Sequence, residues 1–391
     1  MQDKLNDTSV FSDNSDPLER PAKRGAIYVH VPFCARKCAY CKFYKQFPSP
    51  SEIDSYIDCI SSEISNFFEI HKNFEVQSIF FGGGTPTCLS IKHLEKLCQN
   101  FKNLPANIEW TVEAAPGTIN RDKLNALHDC GVNRLSIGIQ SFDENTLRDL
   151  GRPHPLKTAL NALDCALKIF ENLNIDLIFG SRNQTMQLWQ SDLEKALSYP
   201  IKHLSAYCLE FESASSCCAG NLKEIDTQIR EVDFLYKAME VLENSGFKHY
   251  EISNYAKPGF ECAHNLNTWN MNSWVGFGPA AASQIDSLRR RNPADLNLWE
   301  NLVKTNSKDY DDIVKLDQAE MLSCSLIFGL RKICGVNLKA LKMRYPKADL
   351  NKYFPAISEL LKEGLCEIDG DYFRLTKAGI PLADSVAEYF L

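Results

Sequence analysis

From residue 26 onward, short runs of apolar, β-branched and aromatic residues alternate with stretches in which apolar positions recur every three or four residues. The short runs predict strands over 26–31, 76–81, 108–113, 134–139, 174–179 and 203–208. Between them lie helical patterns. In 51–71, residues Tyr56, Ile57, Ile60, Ile64, Phe67 and Phe68 make one apolar stripe at helical spacing, and Ser51 reads as its N-cap. The others are 91–101, 120–129, 156–170 and 184–197. Strand-then-helix units in this number imply an α/β fold with a parallel sheet and helices outside it. Six such units fall short of a closed eight-fold barrel, so the expected form is a partial (β/α)6 barrel, with a doubly wound sheet as the alternative.

The pattern changes after residue 225. A helix is expected over 229–245, then an irregular stretch rich in Asn, Trp and Gly. Beyond 293 the chain reads as mostly helical, over 294–303, 317–331 and 351–363. Two strand-like runs, 366–368 and 372–375, are joined by Asp369-Gly370-Asp371, a tight-turn signal, and a last helix covers 377–389. Helices followed by a small hairpin are winged-helix-like. The organisation expected is a mobile polar tail (1–24), a core barrel (25–225), a connecting segment (226–292) and a smaller, mostly helical C-terminal domain (293–391).

Composition narrows the function classes. The 43 basic and 50 acidic residues give a net charge of −7, with no long basic tract, which argues against nucleic acid as partner. No run approaches the ~18 consecutive apolar residues of a membrane span. The first 24 residues hold no apolar core of a secretory signal, so a cytoplasmic protein with reduced thiols is expected. Fifteen cysteines are many. Cys59, Cys98, Cys130, Cys165 and Cys324 sit in amphipathic runs and read as small buried apolar residues. Cys217-Cys218 reads as part of a loop. Only Cys34, Cys38 and Cys41 form a compact group, spaced C-x3-C-x2-C directly after the first strand. A closed zinc site takes four ligands, and no fourth follows at finger spacing. A cubane iron–sulfur cluster has one thiolate per iron, so three cysteines would leave one iron open.

Other strand ends also carry polar groups. The second strand runs into Gly82-Gly83-Gly84-Thr85-Pro86, which is not a P-loop because no Gly-Lys-Ser/Thr follows. Three successive glycines let a ligand approach the backbone. The third strand ends at Glu113. The fourth leads to Gln140 and on to Arg152, for which a solvent-exposed side chain is the plain reading. The fifth carries Asp176, an acid that is costly to bury unpaired and so expects a basic partner or ligand.

The cysteine spacing, with Tyr40 before the last cysteine, resembles the radical S-adenosylmethionine (SAM) superfamily. The lead-in Tyr28-Val-His30-Val-Pro-Phe resembles its HemN/HemW branch, which holds oxygen-independent coproporphyrinogen III oxidases and heme chaperones. The resemblance runs from about residue 25 to 391, so the C-terminal domain is expected to be of HemN type. It implies a [4Fe–4S] cluster on Cys34, Cys38 and Cys41 and SAM chelated at the open iron. It also implies cofactor contacts from Tyr28, Tyr40, Gly83, Gly84, Thr85, Glu113, Gln140, Arg152 and Asp176. Two departures stand out: Ala115 where the family has Asn after Glu-Ala, and Gly180-Ser181-Arg182-Asn183-Gln184-Thr185 where relatives read Gly-Leu-Pro-Gly-Gln-Thr.

Within the branch, Phe43 stands where the oxidases have a fourth cysteine, and a short tail precedes Tyr28. Both favour the chaperone group over coproporphyrinogen III dehydrogenase activity. His264-Asn265-Leu-Asn-Thr268-Trp269 resembles the chaperones' His-Asn-x-x-Tyr-Trp signature, with Thr268 in place of Tyr. His264 could ligate heme iron, Trp269 could pack on the porphyrin, and Cys262 is a second possible ligand; a satisfied core histidine is the plain alternative. The resemblance thus implies heme as ligand. It also implies an unidentified heme-acceptor protein, membrane-associated respiratory proteins among the candidates, and a chain that is a monomer or homodimer. No catalytic residue is assigned.

Overall fold

The computed structural model describes residues 24–35, 38, 40–41, 44–152, 155–209, 224–307, 310 and 312–391, with backbone alone at 224–229. Residues 1–23 of the expected tail, Phe43 and Cys217-Cys218 lie outside the described residues, and residue 24 already belongs to the first strand. The chain begins as repeated strand–helix units: β1 (Arg24–Val31), α1 (Pro50–Ile70), β2 (Glu75–Gly83), α2 (Ile91–Cys98), β3 (Glu109–Ala114), α3 (Arg121–Asp129) and β4 (Arg134–Gln140). Then come α4 (Glu144–Asp149), α5 (Leu156–Ala166), β5 (Asn172–Phe179), α6 (Met186–Leu197), β6 (His203–Cys208) and α7 (Glu224–Asn244). All six expected strands are present. They lie side by side in chain order and pair in parallel.

The two faces of this sheet differ. Ile27, Val29, Ile79, Phe81, Trp110, Val112, Leu135, Ile137, Leu173, Ile175 and Leu204 join one apolar cluster with Tyr56, Ile60, Leu94, Leu124, Leu163 and Trp189 of the helices. The residues between them in sequence point the other way, and they are mostly polar: Tyr28, His30, Ser78, Thr111, Glu113, Arg134, Ser136, Asn174, Asp176, His203 and Ser205. Strand side chains alternate between faces, so this periodicity separates a helix-covered face from a polar one. A doubly wound sheet would be covered by helices on both faces and would reverse strand order at a switch point. Here the six strands run in chain order with no such reversal, and the partial-barrel form is the one observed.

The segment expected to be irregular is ordered. It holds β7 (Lys248–Glu251), β8 (Asn254–Ala256), α8 (Ala263–Trp269), β9 (Trp274–Phe277), β10 (Ala282–Ile285) and β11 (Leu288–Arg291). After α9 (Leu296–Thr305) comes β12 (Asp312–Lys315). These strands extend the sheet at both edges, giving the order β12-β11-β10-β9-β1-β2-β3-β4-β5-β6-β8-β7. Only β9 continues the parallel set, beside β1. Half-buried Glu63 of α1 ties this extension to the barrel, accepting hydrogen bonds from Gly278 N (2.8 Å), Asn292 Nδ2 (2.8 Å) and Trp299 Nε1 (3.3 Å).

The remainder is mostly helical: α10 (Gln318–Gly329), β13 (Val336–Asn337), α11 (Leu338–Arg344), α12 (Phe354–Lys362), β14 (Cys366–Asp369), β15 (Tyr372–Leu375) and α13 (Ala383–Glu388). Three short strands make a separate sheet, β13-β15-β14, and Gly370 turns its hairpin at φ 59°. The last helix is shorter than expected. A 3-10 turn carrying Pro381 precedes it, and proline lacks the N–H that a helix interior needs. The N-cap of α1 is Ser49 rather than Ser51. Ser49 and Glu52 form a reciprocal capping box around Pro50. Among the described residues, no helix is long and apolar enough to cross a membrane.

Candidate functional site

The cysteine segment leaves β1 where β2 also ends. Gln46 N donates to Pro32 O (2.8 Å) and Cys34 N to Gln46 O (3.1 Å), which pins the two ends of the segment together. Gly84 N donates to Val31 O (2.8 Å) and Thr85 N to Phe33 O (2.7 Å), so the glycine run lies along the base of the cysteine segment. The glycines serve this packing. A Cβ on Gly84 would lie 2.6 Å from Phe33 O, and one on Gly83, at φ +104°, would lie 2.7 Å from the His30 ring.

Cys34 is buried, its Sγ 3.6 Å from Thr85 Oγ1, and burial pushes its thiol pKa up. Cys38 Sγ accepts a hydrogen bond from Arg152 Nη1 (3.5 Å), and Lys45 Nζ donates to Cys41 O (2.6 Å). Tyr40 lies beside Cys38 and Cys41, with the Arg152 guanidinium 5.9 Å from its ring centre. Burial, with Cys38 and Cys41 adding to it, pushes the Tyr40 phenol up against the pull of Arg152. Among the described residues no three His, Cys, Asp or Glu side chains converge as a single-ion site would require. The donor set suits a polynuclear centre: three thiols at one sheet end, with Arg152 and Lys45 nearby to offset the negative charge of a thiolate-bound cluster.

Arg152 is seated by Gly138. Its Nη2 donates to Gly138 O (2.6 Å), and a Cβ at Gly138 would meet that Nη2 at 2.7 Å and Gln140 Nε2 at 2.6 Å. It is therefore not a free surface arginine. Gln140 is buried at φ 72°, directly after a register shift between β4 and β5. The turn that follows is held by Asp192 of α6, which accepts from Ser141 Oγ (2.7 Å) and Phe142 N (2.6 Å). Burial raises the Asp192 pKa to about 6 against those hydrogen bonds.

Glu113 and Asp176 face the polar side together. Burial, and then the neighbouring Asp176, push the Glu113 pKa up to about 8, opposed by the Gly83 N–H and Arg134. Asp176 accepts from Ser136 Oγ (3.0 Å) and Asn174 Nδ2 (2.7 Å), and burial raises its pKa despite these bonds. The polar face continues below them. His203 lies between Asn174 Oδ1 (2.6 Å) and Tyr250 OH (2.8 Å), and Cys262 N donates to Tyr250 OH (3.2 Å). At the other edge Tyr28 OH is 3.1 Å from His30 Nδ1, and His30 Nε2 is 3.1 Å from Tyr44 O.

His264, in the first turn of α8, packs into this face. Its Nδ1 is 3.2 Å from Ser78 Oγ, and its ring centre is 5.0 Å from Phe80 and 6.3 Å from Tyr28. Burial first, then Arg134, lower its pKa to about 3, so the ring is neutral. Thr268 donates back to His264 O (3.3 Å). Trp269 is not beside His264: its ring lies tilted against Phe328 (centres 6.0 Å apart) with Arg331 over it (5.0 Å). Cys262 is buried, and its pKa is pushed up to about 12 by burial.

Sequence reasoning missed Glu109, Arg134, Ser136, Asn174, Asp192, His203 and Tyr250. For four of them the signal was present: Arg134, Ser136, Asn174 and His203 share with Asp176 the alternate, inward positions of otherwise apolar strands.

Comparison with known proteins agrees with this arrangement. The radical SAM superfamily matches residues 28–196, and the HemN C-terminal domain matches residues 316–382. The heme chaperone HemW of Lactococcus lactis is 31% identical, covering 94% of this chain and 98% of its own. That of Bacillus subtilis is 32% identical, covering 94% and 99%. The mitochondrial radical S-adenosyl methionine domain-containing protein 1 of Mus musculus is 32% identical over 94% and 87%. Among solved structures, the coproporphyrinogen III oxidase HemN of Escherichia coli superposes with a TM-score of 0.82, at 22% identity, over 95% of this chain and 91% of that one.

Proposed function

Because the chain belongs to the HemN/HemW branch of the radical SAM superfamily, we propose that it is a cytoplasmic heme chaperone that binds heme and passes it to an acceptor protein. The observation that carries this reading is the likeness to chains named heme chaperone HemW over nearly their whole length, 98% of one and 99% of another. The placement of His264 supports it. The imidazole is neutral, as a metal ligand must be, and with Nδ1 against Ser78 the nitrogen left for iron is Nε2.

The cofactor assignments belong to the same proposal. Cys34, Cys38 and Cys41 would hold the [4Fe–4S] cluster. Glu113, Asp176, Gln140, Arg152 and the Gly83-Gly84-Thr85 run would surround SAM, with Tyr28 and Tyr40 flanking the site. When bound, the cluster supplies one-electron chemistry toward SAM. This chain's own residues bind and orient. Arg152 faces Cys38, and Glu113 and Asp176 offer carboxylates to a cationic ligand.

The competing reading is oxidative decarboxylation of coproporphyrinogen III. The test is incubation of reduced, cluster-loaded protein with SAM and coproporphyrinogen III, with products followed by mass spectrometry. A chaperone leaves the propionates intact. Catalytic loss of two carboxyl groups per substrate would overturn the proposal.

A further inference from the structure

Helix α8 starts without a side-chain cap from its own segment, since its N-cap is Cys262. The first amides of a helix have no intrahelical partner, and a helix of two turns does not hold itself. Here the missing acceptor comes from β3. Glu109 accepts from Ala263 N (3.1 Å) and His264 N (3.2 Å), and lies 3.5 Å from Cys262 Sγ. Its charge is answered by buried Arg134, which donates to Thr111 Oγ1 (3.3 Å) and lies in the field of Glu109, Cys262 and Asp176. At the far end of α8, Arg344 donates to Asn270 O (2.8 Å) and Met271 O (2.6 Å). The segment is thus gripped at both ends by other elements.

We propose that Glu109 is the positioning residue for His264. Its carboxylate fixes the first turn of α8, and so holds the imidazole between Phe80, Tyr28 and Ser78 with Nε2 as the nitrogen available to a metalloporphyrin. The ligand in this statement rests on the heme reading above; the positioning does not.

The test has two arms, both on the full chain. In the first, the eight histidines are labelled with nitrogen-15 and their ring signals compared without heme in wild type, Glu109→Gln, Glu109→Ala and Glu109→Asp. His264→Ala identifies the signal of interest. The glutamine and alanine variants should shift and broaden the His264 ring signals, leave those of His93 and His128 in place, and be partly rescued by aspartate. In the second arm, heme is added. Glu109→Gln should weaken binding about tenfold, as expected for losing a charged acceptor of two amides, and change the spin state in the direction of His264→Ala. Unchanged His264 ring signals in folded Glu109→Gln and Glu109→Ala overturn the positioning role. Shifted ring signals, with heme binding indifferent to His264→Ala, leave the positioning intact and remove the heme site.

Discussion

On the proposed SAM assignment, Glu113 should make SAM binding depend on pH in a way that a single substitution isolates. Glu113 and Asp176 share the polar face, with buried Arg134 nearby. Burial and Asp176 raise the Glu113 pKa from 4.5 to about 8. A cationic ligand is best held by the ionised form. At pH 6, about one Glu113 side chain in a hundred is ionised, so binding must first remove a proton, at about 1.4 kcal/mol for each pH unit below 8. From pH 8, where half of the Glu113 side chains are ionised, to pH 6 the affinity should therefore fall about fiftyfold on this account. The amino group of SAM titrates near 8 as well and adds its own slope. The informative quantity is the difference between wild type and Glu113→Gln, measured by calorimetry on cluster-loaded protein in buffers of different ionisation enthalpy. Wild type should release about one more proton per SAM at pH 6–7 than the variant. The same group acts on folding with the opposite preference. The folded chain holds the Glu113 proton over a range in which the unfolded chain has lost it, so stability from this group falls as pH rises from 4.5 toward 8. Glu113→Gln should therefore melt higher than wild type at pH 8 while binding SAM more weakly. Equal proton release in the two proteins, or equal pH slopes, would refute the reasoning.

Three other perturbations follow from the geometry. Cys38→Ser should abolish cluster assembly, read as loss of iron and of brown colour after anaerobic reconstitution. Gly84→Ala should push the base of the cysteine segment away from β2, because its Cβ would stand 2.6 Å from Phe33 O; the expected cost is about 1–3 kcal/mol by denaturant titration, with reduced cluster occupancy. Asp192→Asn removes a carboxylate that accepts from Ser141 Oγ and Phe142 N. It should cost about 1–3 kcal/mol at pH 8 and more at pH 5, because the folded chain then holds the Asp192 proton that the unfolded chain has lost, a stabilisation the amide variant lacks.

The parallel strands were legible because most carry apolar, β-branched or aromatic residues over a stretch long enough to show their period, as in β1, β2 and β5. The hairpin of β14 and β15 was also legible from its Asp-Gly turn, but the strands between residues 245 and 316 were not. β7 to β12 have four residues or fewer, and pairing of β9 with β1, of β8 with β6 and of the others with these and one another defines them more than their own composition does. The start of α1 was written in the sequence as Ser49-Pro50-Ser51-Glu52, a capping box with proline at the first helical position, and the wrong serine was chosen. The cysteine group needed only its spacing. The glycine run was read for ligand access, and its second constraint, the close approach of Gly83 to His30 and of Gly84 to Phe33, was not visible in the sequence. Glu109 was invisible because its partners, Ala263 and His264, lie more than 150 positions away and are backbone amides, which no residue type announces. Trp269 was grouped with His264 by motif, but five positions along a helix rotate it toward Phe328.

The most direct measurement is an anaerobic titration of cluster-loaded full-length chain with heme, followed in the Soret region, with His264→Ala alongside. A heme chaperone with its ligand at His264 binds one heme saturably, and the variant binds it at least about tenfold more weakly with a changed spectrum. Absence of specific binding would contradict the chaperone assignment, and identical binding by the variant would remove His264 from it.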